Sequence, residues 1–299
     1  MIRDFDQLME IALGGPRKKI IVVSAHDLHT LEGICDACRK GIAEPILLGK
    51  EKLIREIIQK EPLDFPSVTI VHSPDDREGA RIAVQMLRKG QGDVLMKGNC
   101  KTADLLRAVV HKDSGLWDGH TMSHVGLFQI PGYHKLVAIT DGGMIPHPSL
   151  EEKRELIKNA VELLKALGCT MPKVACLAAG EDVNPNAPET HHGAKLKEMN
   201  EKGEIRDCIV EGPISYDLAM SREAAEAKHY QSPVVGDGDI LLVPDMAAGN
   251  ILAKSWTVTC GGTMSGVVTG AGAPIVLASR GASTKEKFLS IVLAALAAG

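Results

Sequence analysis

Aromatic residues are scarce in this sequence: phenylalanine, tryptophan and tyrosine together make up 3% of its 299 residues. Ligand recognition must therefore depend mainly on polar and aliphatic contacts. No apolar run approaches the ~18 residues that a membrane-spanning helix needs. The N-terminal segment MIRDFDQLMEIALGG carries acidic residues where a secretory signal peptide would be basic and apolar. We therefore expect a cytoplasmic protein with no membrane contact.

Basic clusters are also lacking. The formal net charge is -4, and no stretch of the chain concentrates lysine and arginine, so we expect no nucleic-acid partner. The cysteines number seven, an odd count that favours reduced thiols in a reducing compartment. Cys35 and Cys38 form a CxxC in a helical segment without a second pair at zinc-ribbon spacing, and we expect neither a metal site nor a redox pair. The adjacent His191 and His192 point apart on a helix, which predicts a solvated helix start.

Three nucleotide and hydrolase motifs are missing. The sequence has no GxxxxGK[ST] loop, and its GAGAP segment precedes a strand, whereas the dinucleotide fingerprint opens a helix. It also has no GxSxG elbow. These absences argue against a P-loop nucleotidase, a Rossmann dehydrogenase and a serine hydrolase, and we expect no tightly bound cofactor.

Short apolar runs alternate with amphipathic segments almost from end to end, which is typical of the α/β class with mostly parallel strands covered by helices. A chain of 299 residues is long for one hydrophobic core and comfortable for two. The best boundary between two lobes lies near residues 117–121.

Polar residues follow many of the predicted strands. They are Lys97 and Asn99 after DVLM, Thr102 and Arg107 in the next helix, Asp141 after KLVAIT, Asn184 in EDVNPNAP, Gly212 and Pro213 after DCIVE, and Asn250 and Lys254 after DILLVP. Turn chemistry alone explains many Gly, Pro, Asn and Asp residues in such loops. Their accumulation at the carboxyl ends of strands, together with cations, predicts a cleft for a polyanionic ligand.

The segment APIVLASRGASTKEKFLSIVLAAL repeats this arrangement with an arginine. A buried strand over residues 274–278 leads into Ser279, Arg280 and then a helix over residues 284–297. A charge at the end of a buried strand is costly unless an anion meets it, so Arg280 and the helix start can jointly hold a phosphate. The alternative is a surface arginine in an ordinary loop.

Seven segments in this order resemble the phosphate acetyl/butyryltransferase family over nearly the whole chain: DVLMKGNCKTADLLRAVV, SHVGLFQIPGY, AITDGG, EDVNPNAPET, IVEGPISYDLAMSREAAEAKH, SPVVGDGDILLVPDMAAGNILAK and APIVLASRGAS. The length is closest to that of its butyryltransferases. The resemblance implies a two-lobed, three-layer αβα fold of the isocitrate/isopropylmalate-dehydrogenase type. It also implies a homodimer and reversible acyl transfer between coenzyme A and inorganic phosphate. The first lobe would comprise residues 1–120 and 278–299, the second residues 121–277, with the active-site cleft between them.

The resemblance also implies roles for individual residues. Ser279 and Arg280 match the family's Ser-Arg pair, and Glu286 stands where acetyltransferases carry an aspartate, which makes it a candidate base. Lys97 and Arg107 lie in the block that contacts coenzyme A. We expect direct transfer rather than a cysteine acyl-enzyme, since no cysteine lies at a strand end beside a histidine and a helix start.

The chain departs from the family after AITD, where small residues and an asparagine give way to GGMIPH, residues 142–147. Two glycines predict a flexible loop, and Met144 is expected to line an acyl pocket that favours butyryl over acetyl. The alternative is that Met144 and Ile145 anchor the loop to the core. Two other functions stay open: an acyl carrier protein-dependent phosphate acyltransferase, for which no basic patch is present, and a noncatalytic coenzyme A-binding regulatory protein.

Overall fold

The computed structural model describes residues 2–117, 119–279 and 281–299. The chain divides into two compact units. The N-terminal unit comprises Phe5–His120 and Ser265–Gly299, and the middle unit comprises Thr121–Met264 together with residues 2–4. The second boundary falls at Ser265, within the strand Thr263–Thr269 and ahead of the expected residue 278, because the rest of that strand pairs with the strand that follows it.

Strands and helices alternate along the chain, which confirms the predicted α/β class. The strands are β1 (Lys18–Val23), β2 (Ala43–Gly49), β3 (Thr69–His72), β4 (Val94–Lys97), β5 (Ser123–Gln129), β6 (Val137–Thr140), β7 (Lys173–Leu177), β8 (Ile209–Ile214), β9 (Ile240–Leu242), β10 (Thr263–Thr269) and β11 (Ile275–Val276). The helices are α1 (Phe5–Leu13), α2 (Leu28–Arg39), α3 (Glu51–Lys60), α4 (Asp76–Arg88), α5 (Thr102–Val109), α6 (Leu150–Ala166), α7 (Pro188–Glu201), α8 (Tyr216–Met220), α9 (Arg222–Ala227), α10 (Met246–Lys254) and α11 (Thr284–Ala297). A π-helical turn, Ser255–Thr259, extends α10.

The sheet of the N-terminal unit has the strand order β3-β2-β1-β4-β11-β10. Neighbouring strands are parallel except for β10 and β11, which pair antiparallel. β1 and β4 read as continuous apolar runs because helices cover both faces. The chain moves in opposite directions across the sheet through α2 and α4, so right-handed crossovers place these helices on opposite faces. The sheet and the helices on its two faces form three layers.

The last helix belongs to the N-terminal unit although it comes at the end of the sequence. α11 packs against α2 and α1, and a buried ion pair joins two of these helices. The Lys287 ammonium on α11 lies 3.2 Å from the Asp27 carboxylate, which caps α2, and 3.2 Å from the Thr30 hydroxyl. Gly33 allows the close approach, since a Cβ there would lie 3.3 Å from the backbone nitrogen of Phe288.

The sheet of the middle unit has the order β5-β6-β9-β7-β8, parallel except between β5 and β6. Its core includes Phe128 and Trp256, whose ring centroids lie 5.1 Å apart in an edge-to-face arrangement. α6 and α7 pack against each other, and α10 packs against β6. The carboxyl ends of β6, β7 and β9 therefore lead into the starts of α6, α7 and α10 at one edge of this sheet.

Candidate active site

The parallel pairing of β4 with β11 brings two of the predicted site segments together. Val276 lies opposite Met96 in this pairing. Because parallel strands end at the same edge, the loop that begins at Lys97 lies beside the loop that contains Ser279. The N-terminal unit thus assembles residues that are almost two hundred positions apart in sequence.

Ser279 is exposed in the loop between β11 and α11. Its carbonyl oxygen accepts a hydrogen bond from the Ala282 N–H at 3.1 Å, and its hydroxyl oxygen lies 3.4 Å from the Gly281 nitrogen, which donates. The chain therefore turns tightly from the strand into the helix and leaves the serine at the surface. Arg280 lies outside the described residues, and its phosphate-binding role stays a prediction.

Glu286 forms a capping box with Ser283 at the start of α11. Its Oε2 accepts hydrogen bonds from the Ser283 N–H at 2.8 Å and from the Ser283 hydroxyl at 3.3 Å. In return, the Glu286 N–H donates to the Ser283 hydroxyl oxygen at 3.2 Å. Capping accounts for a glutamate at this position without catalysis, so its role as a base stays a prediction.

Lys97 is buried at the end of β4, and its ammonium donates to the carbonyl oxygens of Gly98 at 3.1 Å and Cys100 at 3.2 Å. These bonds shape the loop that follows the strand. The loop is also attached to the end of β1, since the Asn99 N–H donates to the Ser24 carbonyl oxygen at 2.8 Å. A Cβ at Gly98 would lie 2.4 Å from that oxygen, so only glycine fits. Asn99 itself is exposed at the edge of the sheet.

Thr102 and Arg107 lie on α5 with exposed side chains. The Arg107 guanidinium is 2.8 Å from the Asp104 carboxylate, which also accepts from Arg77 at 3.1 Å. Against the opposing effect of burial, the hydrogen bonds from these two arginines lower the pKa of Asp104. Arg107 is 62% exposed and Asp104 keeps its contact with Arg77, so Arg107 can exchange Asp104 for a ligand phosphate at little cost.

Asp141 is buried after β6, and its carboxylate holds the loop that follows. Oδ1 accepts hydrogen bonds from the backbone N–H groups of Gly143 at 2.6 Å and Met144 at 2.8 Å, and Oδ2 accepts from the His124 N–H at 3.2 Å. Both oxygens are thus engaged by the backbone. These contacts position the loop, and the predicted role of Asp141 in binding substrate stays a prediction.

The two glycines of this loop are explained by close packing, not by the flexibility we expected. A Cβ at Gly249 on α10 would lie 3.0 Å from the Gly142 Cα, and a Cβ at Gly143 would lie 3.3 Å from the His124 ring. Asn250 on α10 donates from its side-chain amide to the Gly142 carbonyl oxygen at 3.3 Å. The loop is therefore held against α10, and the Met144 side chain within it is half-buried.

The remaining predicted residues lie around β8, α7 and the end of α10. Asn184 is exposed, and its side-chain oxygen accepts from the Asn186 N–H at 2.9 Å, which makes a local turn. β8 continues to Ile214, so Gly212 and Pro213 lie buried inside the strand and not after it as expected. They pack on Gly193 of α7, where a Cβ would lie 3.0 Å from Pro213.

Lys254 is exposed at the end of α10. Its ammonium forms no ion pair with any residue in the described ranges, so it is free to meet an anion.

A polar cluster at the end of β8 was missed by the sequence analysis. The Ser215 hydroxyl donates to the Glu181 carboxylate, and the Lys228 ammonium lies 3.0 Å from Asp217 and 3.5 Å from Glu181. The hydrogen bond from Ser215 is the main cause that lowers the pKa of Glu181. The signal was available in the motif GPISYD, whose serine and aspartate follow a buried strand.

The paired cysteines of α2 have a structural role. The Cys35 thiol donates to the Asp64 carbonyl oxygen and the Cys38 thiol to the Ser67 carbonyl oxygen, both at 3.4 Å. Within residues 2–117, 119–279 and 281–299, no group of three or more His, Cys, Asp or Glu side chains is placed to hold a metal ion. No described helix is both long and apolar enough to cross a membrane.

Comparisons with known proteins agree with the fold. The sequence model of a family described as "Phosphate acetyl/butaryl transferase" matches residues 76–295. A phosphate butyryltransferase from Clostridium acetobutylicum is 38% identical over 299 residues, which is 100% of this chain and 99% of that protein. A phosphate acetyltransferase from Thermotoga maritima is 39% identical over 291 residues, covering 97% of this chain and 98% of that protein.

A solved structure shows the same likeness. The branched-chain phosphotransacylase from Enterococcus faecalis is 30% identical, covers 94% of this chain and 99% of its own, and superimposes with a TM-score of 0.83. Fold, site segments and relatives together define an α/β transferase of the phosphate acyltransferase class. More particularly, the chain belongs to the phosphate acetyl/butyryltransferase family.

Proposed function

We propose that the protein transfers a short acyl group reversibly between coenzyme A and inorganic phosphate: acyl-coenzyme A and phosphate give acyl phosphate and coenzyme A. The names of its relatives support this reaction. The structural observation that carries it is the parallel pairing of β4 with β11, which sets the Lys97 loop beside the Ser279 loop. The transfer changes no oxidation state, so the reaction needs no redox cofactor.

The phosphate is held by Arg280, whose planar guanidinium can donate two parallel hydrogen bonds to it. Its place in the sequence, between the exposed Ser279 and α11, supports this role. In the direction of acyl-coenzyme A formation, phosphate is the leaving group. The exposed Ser279 hydroxyl donates to the carbonyl oxygen as that oxygen becomes negatively charged in the tetrahedral intermediate.

Glu286 takes the proton from the coenzyme A thiol. As the thiolate attacks, the carbon–sulfur bond forms, and the carbon–oxygen bond to phosphate then breaks. Oε2 of Glu286 caps α11, which leaves Oε1 for the proton. A thiol with a pKa of about 8.5 needs only modest help from such a base.

Coenzyme A contacts Lys97, Asn99, Thr102 and Arg107 through its phosphates and its pantetheine arm. The exposed Arg107–Asp104 pair supports this part of the proposal, because the guanidinium can turn to a phosphate without leaving a buried carboxylate unpaired. We assign Asn184, Gly212, Pro213, Asn250 and Lys254 to the wider binding region on the strength of their motifs.

The acyl chain contacts Met144, and butyryl is preferred over acetyl. Each buried methylene contributes about 0.8 kcal/mol, so two extra carbons favour butyryl by roughly tenfold. The half-buried Met144 side chain, on a loop fixed by Asp141, supports this preference. The relatives carry both names, so the choice between the two acyl groups rests on this argument.

We further propose a cytoplasmic homodimer. Ile251 and Val258 are 67% and 80% exposed on α10 and the π-helical turn, and a second copy of the chain would cover them. Sedimentation velocity tests this part. The wild type should sediment as a dimer and Val258→Asp as a monomer, and a monomeric wild type would exclude it.

A steady-state assay of thiol release tests the reaction itself. Acetyl-, butyryl- and branched acyl-coenzyme A are each supplied with phosphate, and free thiol and acyl phosphate are measured. We expect both products in equal amounts, fastest with butyryl-coenzyme A. Binding of coenzyme A without thiol release would indicate a noncatalytic protein, and turnover only with acyl carrier protein would indicate the carrier-dependent enzyme. Either result would refute the proposal.

A further inference from the structure

Lys153 is a buried lysine that no feature of the proposed reaction uses. It lies one turn into α6, directly after the glutamate of the Ser149–Glu152 capping box, and is 4% exposed. Its ammonium makes no hydrogen bond and no ion pair to any residue that the structure describes. The Nζ atom itself is not fully buried, so the ammonium keeps a small contact with solvent although the rest of the side chain is enclosed. A lysine enclosed to this degree normally has a partner, since losing most of its hydration is costly.

The charges around Lys153 do not supply that partner. The carboxylates of Glu189 and Asp245 and the thiol of Cys176 act on the ammonium, yet none lies within ion-pair distance. Asp245 is engaged elsewhere, because it caps α10 by accepting from the Ala248 N–H at 2.9 Å. Burial outweighs these neighbours and lowers the pKa of Lys153.

His192 is the second unpartnered group at this place. The Nδ1 atom of His192 on α7 is buried and has no hydrogen-bond partner among the residues described. This differs from the solvated helix start that we expected. Burial lowers the pKa of the imidazole, and the charge of Lys153 lowers it further, which places the two groups near each other. α6 and α7 also pack against each other.

The position of the two groups is one where α/β proteins bind ligands. α6 and α7 begin at the carboxyl edge of the middle unit's sheet, where β6 and β7 end. Unlike α6, which has a capping box, α7 has no side chain that caps its start: Ala187 precedes Pro188 there. Pro188 has no N–H and the Thr190 N–H donates to the Ala187 carbonyl oxygen at 3.0 Å, so the start of α7 contributes mainly the positive end of its helix dipole.

We propose that Lys153 and His192, with the start of α7, form a binding site for the ionised oxygens of a small carboxylate ligand. The ammonium donates to one carboxylate oxygen, and Nδ1 of His192 donates to the ligand when it carries the proton. Glu189 and Asp245 lie near enough to repel a doubly charged phosphate more than a singly charged carboxylate. Water is the other occupant that such a recess accepts.

Nitrogen NMR of protein labelled with 15N-histidine tests the site, with His192 identified by the signal missing from His192→Gln. Acetate, butyrate and inorganic phosphate are titrated separately at constant ionic strength, and sodium chloride serves as the control. We expect a saturable shift of the His192 nitrogens with the carboxylates and a weaker one with phosphate. No saturable shift with any probe means that the site holds only water, and tighter binding of phosphate overturns the choice of ligand.

Variants of Lys153 test whether the carboxylate that shifts the His192 signals binds at this site. Lys153→Met should weaken carboxylate binding by roughly tenfold or more, the loss expected for a charge-assisted hydrogen bond. Lys195→Met is the matched control, because Lys195 lies on α7 but is exposed and paired with Glu198. This variant should bind the carboxylates as tightly as the wild type. Equal binding by Lys153→Met overturns the proposal. If that variant does not fold, Lys153→Gln also removes the charge and should show the same loss, and equal binding by it overturns the proposal as well.

The proposed carboxylate site does not depend on the proposed acyl transfer. The His192 shift should persist in Arg280→Ala, so a missing shift and missing turnover are separate results. Loss of the shift in Arg280→Ala would mean that the ligand belongs to the reaction site, which would also overturn a separate carboxylate site.

Discussion

The starts of α11 and α6 carry the same sequence pattern, Ser-x-x-Glu-Lys, yet they differ in what surrounds the lysine. Ser283–Lys287 and Ser149–Lys153 both form a capping box in which the serine and glutamate exchange hydrogen bonds. Both lysines are buried, with exposures of 5% and 4%. The local sequence therefore produces the same helix start twice and places an ammonium in the same position after it.

The partners of the two lysines are different. Lys287 meets Asp27 and Thr30, each at 3.2 Å, and joins α11 to α2. Lys153 meets no partner in the described part of the chain. Lys287 therefore has a structural role, whereas Lys153 is the lysine for which we propose a ligand.

The largest expected effect tests whether the start of α11 serves the reaction. Arg280→Ala should lower turnover by ~10²-fold or more and raise the apparent KM for phosphate, because a charge-stabilising donor is lost. Arg280→Lys should recover part of the activity, since an ammonium lacks the planar fork. Lys285→Ala, an exposed lysine on the same helix, should behave as the wild type. Unchanged kinetics of Arg280→Ala would mean that phosphate does not bind at the start of α11.

The two buried lysines should differ in their contribution to stability. Lys287→Met should lower the free energy of unfolding by about 2 kcal/mol, because Asp27 loses its ion pair in a largely buried position. Lys153→Met should cause no loss, since it removes a buried charge that has no partner. Urea unfolding of both variants measures the difference. Equal losses would show that Lys153 has a compensating partner in solution.

The two capping-box glutamates give a matched pair for catalysis. Glutamine preserves the cap, so Glu286→Gln and Glu152→Gln should each change stability by less than about 1 kcal/mol. Only Glu286→Gln should lower turnover, by roughly tenfold near neutral pH, because the base that assists ionisation of the coenzyme A thiol is lost. The deficit should shrink as the pH rises through the thiol pKa of about 8.5, where the thiol ionises unaided. A loss of turnover that does not change with pH, or that Glu152→Gln shares, would exclude Glu286 as the base.

The smallest effect concerns Met144 in the loop that precedes α6. Met144→Ala should reduce the ratio of butyryl to acetyl turnover by a few-fold, as expected for lost contact with one or two methylenes. Turnover with each acyl-coenzyme A gives the ratio directly. Should the ratio stay constant, Met144 anchors the loop and does not contact substrate.

Local pattern predicted most of the architecture. The helix expected over residues 284–297 has those bounds, since Ser283, Glu286 and the apolar face are all close in sequence. The strand expected over residues 274–278 is shorter, Ile275–Val276, because a strand's length depends on its neighbours in the sheet. Gly212 and Pro213 were placed after β8 on turn chemistry, but pairing with β7 extends that strand to Ile214.

The sequence by itself determined the helix starts, the alternation of strands and helices and the polar residues at strand ends, because these depend on contacts within a few positions. The tertiary structure decided which of these residues have partners. Lys287 finds Asp27 at a separation of 260 positions, whereas Asp141 turns its carboxylate to the backbone N–H groups of its own loop. Lys153 and His192 come together only because α6 packs on α7. Burial and distance set the free energy of a charge, and both exist only once the chain has folded.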